Sequence, residues 1–133
     1  MRYLLDVNAL IALGITRHEF RDRVRNWIAS LSADGTPELA TCSITEIGFV
    51  RIVPQIPDYN VTLEQAKTLL SMLKASQVYD FKFLVDGNAV SQLSHWVKLP
   101  KQTTDGHLAN LAKANGCTLA TLDENISEAF LIP

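Results

Sequence analysis

The sequence has little of what marks the specialised protein classes. It holds only two cysteines, Cys42 and Cys117, far apart and each in an apolar, strand-like setting. That is neither a disulfide framework nor a metal-binding spacing, so both read as reduced core residues. No apolar run approaches membrane-spanning length. No basic segment leads into an apolar stretch and a small-residue cleavage site, so a cytoplasmic protein with no membrane role is expected. Repeats, low-complexity tracts and linkers are absent. Excess positive charge is absent too: 12 Lys and Arg stand against 14 Asp and Glu, for a net charge of −2 and a pI near 5.9. A protein that gripped nucleic acid by bulk charge would be basic, so any such contact here is local. What is present is a globular composition, 47% hydrophobic and 20% charged, which excludes disorder and suits one domain over 1–133 with a single core.

Along the chain the hydrophobic period alternates. RYLL reads as a buried strand, and Asn8 to about Ile15 as a short apolar helix. In EFRDRVRNWIASL, residues Phe20, Val24, Trp27, Ile28 and Leu31 keep helical spacing until Asp34-Gly35 closes the segment. ELATC is a second strand, and SITEIGFVRIV is helical up to Pro54. Thr62 to Gln65 forms a capping box opening a helix with Leu63, Ala66, Leu69, Leu70 and Leu73 on its inner face. YDFKFL is a third strand, with Asp86 placed to cap a following helix. TTDGHLANLAKANG is a helix stopped at Gly116. CTLATL is a fourth strand, and a short helix is expected from Asn125 to the end. Strands apolar on both faces and separated by helices point to an α/β/α sandwich, with a parallel sheet of four to five strands.

Ligands of such sheets bind beyond the carboxyl ends of the strands, and four acids gather there. Asp6 follows the first strand and Asp123 the fourth. Glu46 and Asp105 each stand in the first turn of a helix. Asp105 is in register with Leu108, Ala109 and Ala112, and Glu46 with Phe49, Val50 and Val53, so both lie on inward apolar stripes. Ionised carboxylates are costly there without a cation, and four together raise one another's pKa. A divalent ion resolves the conflict, and all-oxygen ligands favour Mg²⁺ or Mn²⁺ over zinc. Each acid also has a local reading. Ser43 and Glu46 fit a capping box, Asp105 suits the positive end of its helix, and Asp6 can cap the helix after it. These explain the acids one by one and predict no shared location.

LLDVNALIAL, SITEIGFVRIV, TTDGHLANLAKANG and TLATLDEN, in this order, resemble the PIN domain, and more narrowly the VapC-type toxins of bacterial type II toxin–antitoxin pairs. The resemblance implies a Mg²⁺-dependent ribonuclease, with Mn²⁺ able to replace the metal. Asp6 and Asp105 match the family's metal-holding acids, and Glu46 and Asp123 the rest of its catalytic quartet. Asn8 and Thr121 match the polar residues that orient the carboxylates. It further implies hydrolysis by water to 5′-phosphate and 3′-hydroxyl ends, a homodimer, and silencing by a VapB-type antitoxin. Two other readings stand beside it: a PIN module that processes or binds RNA outside a toxin–antitoxin pair, and a haloacid-dehalogenase-like phosphotransferase. The latter wants a second acid where Asn8 stands.

RNA would need local cations. Arg17, Arg21 and Arg25 recur every fourth residue and are candidates for one phosphate-binding helix face. A solvated face is the alternative. Arg51 suits a site-edge contact or a surface ion pair. His18 and His107 lack metal-pair spacing and read as surface or cap-proximal imidazoles, while Trp27 and Trp96 sit in apolar patterns that suit core or interface.

Overall fold

A computed structural model describes all 133 residues. Five strands, β1 (Tyr3–Leu5), β2 (Glu38–Cys42), β3 (Asp80–Leu84), β4 (Thr118–Thr121) and β5 (Ala129–Leu131), form one sheet in the order β3-β2-β1-β4-β5. Every pairing is parallel, with Leu4 opposite Ala40 on one side and Leu119 on the other. The helices are α1 (Val7–Gly14), α2 (Arg21–Leu31), α3 (Ser43–Ile52), α4 (Leu63–Ala75) and α5 (Thr103–Ala114).

Successive strand residues point to opposite faces, and the sheet uses both. Leu5, Leu39 and Ala120 enter a larger core with α1, α2, α3 and α4. Their neighbours Leu4, Ala40 and Leu119 enter a smaller core with Leu108, Leu111 and Ala112 of α5. This explains why the strands read as apolar without alternation. Trp27 belongs to the larger core, edge-on to Tyr3 at 5.0 Å, and Trp96 packs against the smaller one. Both cysteines are free, Cys42 buried and Cys117 half-buried. Gly116 ends α5 in a left-handed conformation, φ 69°. The amides of Gly116 and Cys117 close the helix onto the carbonyls of Lys113 and Ala112, a Schellman ending that favours glycine.

Three expectations change. No helix follows Asp86: residues 85–102 are irregular apart from short 3₁₀ turns at Val90–Gln92 and Pro100–Gln102. The Asp86 carboxylate accepts the Asn88 N–H at 3.0 Å, a side-chain turn that competes with helix initiation. The C-terminal segment is β5 rather than a helix. Asp123 turns onto the Asn125 N–H at 2.8 Å and Glu128 takes φ 60°, which swings Ala129–Leu131 beside β4. A helix that short would gain few hydrogen bonds for its nucleation cost, whereas a strand completes the ladder. In α4, Ala66 and Leu70 are buried and Leu69 and Leu73 half-buried, but Leu63 is 53% exposed.

The chain runs outward from β1 through β2 to β3, then crosses back to β4 and β5. The strand order therefore reverses between β1 and β4, and the crevice beyond their carboxyl ends is where ligands of such sheets bind.

Candidate active site

Asp6 stands at the mouth of that crevice. Its amide still donates to the Ala120 carbonyl at 3.1 Å, so it ends the β1 ladder as it opens α1. Its Oδ1 caps the helix by accepting the Ala9 N–H at 2.8 Å. Its Oδ2 accepts the hydroxyl proton of Thr121, the last residue of β4. The Thr121 oxygen in turn accepts the Asp123 N–H at 3.0 Å. One hydroxyl thus couples the two strand ends. Capping and membership of the site are compatible roles for Asp6, since capping uses one oxygen.

Asp105, in the first turn of α5, faces the same crevice. Burial pushes the Asp6 carboxyl above the usual carboxylate range, the Thr121 and Ala9 hydrogen bonds oppose that, and the negative charges of Asp105 and Asp123 reinforce it. Burial and Asp123 raise Asp105 likewise. The charges acting on Asp6 and Asp105 are all negative, a site that favours a cation. Its donors are all oxygen, which fits Mg²⁺ or Mn²⁺. No three acidic, histidine or cysteine side chains are already drawn around one point in the manner of a preformed metal cluster.

Glu46 is placed differently. It stands in the first turn of α3, but Ser43 and Glu46 form no capping box. Thr45 takes that position, receiving the Cys42 N–H at 3.0 Å. Glu46 is freed by this, and its Oε2 accepts both the Thr41 hydroxyl at 2.5 Å and the Lys74 ammonium at 2.6 Å. Three acids are therefore brought together electrostatically, and the fourth is held by a lysine. Gly48, two residues on, lets α3 approach α1: a Cβ there would lie 2.6 Å from Val7 Cγ2.

Asn8 is exposed on the first turn of α1, beside Asp123. The arginine row does not form one helix face, because α2 begins only at Arg21. Arg17 lies before it and donates to the Asp58 carbonyl at 2.5 Å, Arg21 is half-buried, and Arg25 is exposed. Arg51 is exposed in the last turn of α3. His107 is not a plain surface imidazole, since its Nε2 meets the Asp86 carboxylate. His18 is half-buried with its Nδ1 accepting the Phe20 N–H at 3.0 Å. Sequence reasoning missed Thr41 and Lys74. A hydroxyl inside an apolar strand, needing a partner once buried, was the available signal for Thr41. Lys74 had none, because only the packing of α4 on α3 brings it to Glu46.

A family model for the PIN domain matches residues 3–130. The chain belongs to the PIN-domain family. Within it, the curated relatives place the domain with the VapC type. It is 38% identical over 128 residues to Ribonuclease VapC38 of Mycobacterium tuberculosis, covering 92% of this chain and 86% of that protein. It is 32% identical over 133 residues to Ribonuclease VapC44 of the same species, covering 96% and 89%. Among solved structures, this PIN domain superposes on VapBC2 from Rickettsia felis bound to a promoter DNA fragment. The TM-score is 0.63 at 18% identity, with 98% of this chain and 97% of that one covered. It also matches M. tuberculosis VapC20, described as a sarcin-ricin loop cleaving toxin, with a TM-score of 0.60 at 13% identity and coverage of 94% and 92%. No helix is long and apolar enough to cross a membrane.

Proposed function

We propose that this PIN domain is a Mg²⁺-dependent endoribonuclease, the toxin of a type II VapBC pair, which hydrolyses RNA phosphodiester bonds. The observation that carries the reading is the trio Asp6, Asp105 and Asp123, mutually repelling at the β1/β4 switch point. The curated relatives named as ribonucleases set the substrate class.

Asp6 and Asp105 would hold the ion, with Mn²⁺ able to replace Mg²⁺. The metal supplies Lewis acidity to the phosphodiester and lowers the pKa of water. Thr121 keeps the Asp6 carboxylate oriented by donating to Oδ2, the supporting hydrogen bond that such ligands need. One Asp123 oxygen is committed to the Asn125 amide, and the other is free to accept a proton from attacking water. The water oxygen bonds to phosphorus as the P–O3′ bond breaks, and the departing 3′ oxygen takes up a proton. The ends left are a 5′-phosphate and a 3′-hydroxyl. Asn8 and Glu46 complete the edge.

The Rickettsia pair supports a VapB-type antitoxin as partner. Exposed Ile47, Leu63 and Met72 give α3 and α4 apolar surface for it or for a second copy in a homodimer. A cytoplasmic location is consistent with this chemistry. The test is cleavage of a broad RNA panel by antitoxin-free protein in Mg²⁺ or Mn²⁺. Cleavage should stop on chelation and in Asp6→Asn. Cleavage that survives both overturns the mechanism.

A further inference from the structure

The acid cluster opens on one side into a cleft of about 380 Å³, lined by Asn8, His18, Glu19, Phe20, Leu122 and Asp123. Asn8 and Asp123 belong to the candidate site, so an RNA strand passing it has this cleft as its neighbour.

Phe20 is the unexplained residue. It is 39% exposed and belongs to neither core. It occupies the N-cap of α2 without any side-chain cap, a position where Ser, Thr, Asp or Asn stabilises a helix and an aromatic does not. Neither burial in a core nor helix capping accounts for it. The ring is nevertheless held. The His18 ring lies 5.9 Å away, tilted by 48°, and its Nδ1 is tied to the Phe20 amide. The Arg23 guanidinium stands 5.7 Å from the Phe20 centroid, anchored by two hydrogen bonds to the Ile132 carbonyl. A fixed, partly exposed aromatic is a stacking platform for an unpaired base.

The polar lining selects what stacks. Glu19 and Asp123 are carboxylates, which repel phosphate and accept hydrogen bonds from exocyclic amino groups. Burial pushes the His18 imidazole below its usual range. With Nδ1 accepting, the neutral ring carries its proton on Nε2 and donates to a base oxygen or ring nitrogen.

We propose that this cleft is a nucleobase subsite beside the scissile phosphate, in which Phe20 stacks an unpaired, amino-bearing base and Glu19 reads its amino group. The inference rests on the ribonuclease reading for its substrate, and deepens it. It places sequence preference in the connection between α1 and α2.

The test uses the full chain without metal and titrates it with the four ribonucleosides, followed by backbone amide NMR. Nucleosides lack the phosphate that the acids would repel. Adenosine, cytidine and guanosine should shift the amides of His18, Phe20, Leu122 and Asp123, with uridine the weakest. Phe20→Ala should abolish these shifts, and Phe20→Trp should keep them. Shifts absent for all four nucleosides, or undiminished in Phe20→Ala, overturn the subsite. In a cleavage assay, Phe20→Ala should raise KM about tenfold, the scale of a lost base stack, and more than it lowers kcat. Wild-type protein that binds nucleosides yet cuts no RNA defeats the ribonuclease reading and leaves the subsite standing. Cleavage with KM unchanged in Phe20→Ala does the reverse.

Discussion

Thr121→Val should show how the site is held. Valine keeps the shape of threonine and removes only the hydroxyl. Thr121 is 1% exposed, and its hydroxyl donates to Asp6 Oδ2 and accepts the Asp123 amide. The variant leaves a buried carboxylate oxygen without its donor, whereas the Asp123 amide, only part-buried, can turn to water. Hydrogen bonds to charged groups contribute about 1.5–3 kcal/mol, so a loss of about 2 kcal/mol is expected. For a chain of this length that lowers Tm by about 7 °C. The loss depends on pH. The Asp6 carboxyl is already raised, by burial first, and losing Thr121 raises it further. Ionised Asp6 therefore suffers most, and the gap to wild type is full above the variant's folded pKa. It narrows as pH falls from there to the wild-type folded pKa, both of which lie above the ordinary carboxylate range. Urea unfolding followed by circular dichroism, at neutral and at mildly acid pH, measures it. Thr121→Ser should recover most of the loss. A gap below about 0.5 kcal/mol at neutral pH, smaller than a buried hydrogen bond contributes, or one that is the same at every pH, would refute the coupling of the two strand ends.

Wild-type protein free of metal should be more stable at mildly acid than at neutral pH, because Asp6 and Asp105 both bind protons more tightly folded than unfolded. Asp105→Asn should raise the metal-free Tm at neutral pH and abolish any further rise on adding Mg²⁺; a wild-type Tm indifferent to Mg²⁺ and Mn²⁺ counts against a metal site. Lys74→Met removes a partly exposed ion pair with side chains 30% and 23% exposed, so it should cost about 1 kcal/mol or less. It should still lower kcat, with Lys74→Arg restoring part of it, and unchanged kinetics would mean that Glu46 needs no such anchor. Gly48→Ala would set a methyl 2.6 Å from Val7 Cγ2, and overpacking of about 1–3 kcal/mol should outweigh the helix propensity gained. A urea midpoint equal to or above wild type would show that α1 and α3 have slack.

The sequence by itself determined the architecture and the edge on which the acids stand. A short continuous apolar run against a period of 3.6 is a local property, and apolar residues on both strand faces require layers on both sides. The inward register of Asp105 with Leu108, Ala109 and Ala112 was legible for the same reason, and all three are buried. Local capping chemistry likewise announced Thr62 with Gln65, and Gly116 after α5. The tertiary structure alone decided what each acid touches. Thr121 reaches Asp6 across 115 residues, and Lys74 reaches Glu46 across 28, contacts that no local period encodes. It also made the C-terminus a strand, because a ladder partner in β4 outweighs the weak helical preference of so short a segment. Arg17 was separated from Arg21 by a helix start set further along the chain. An acid at a strand end is a matter of sequence; its charge and its partners are a matter of which elements pack against it.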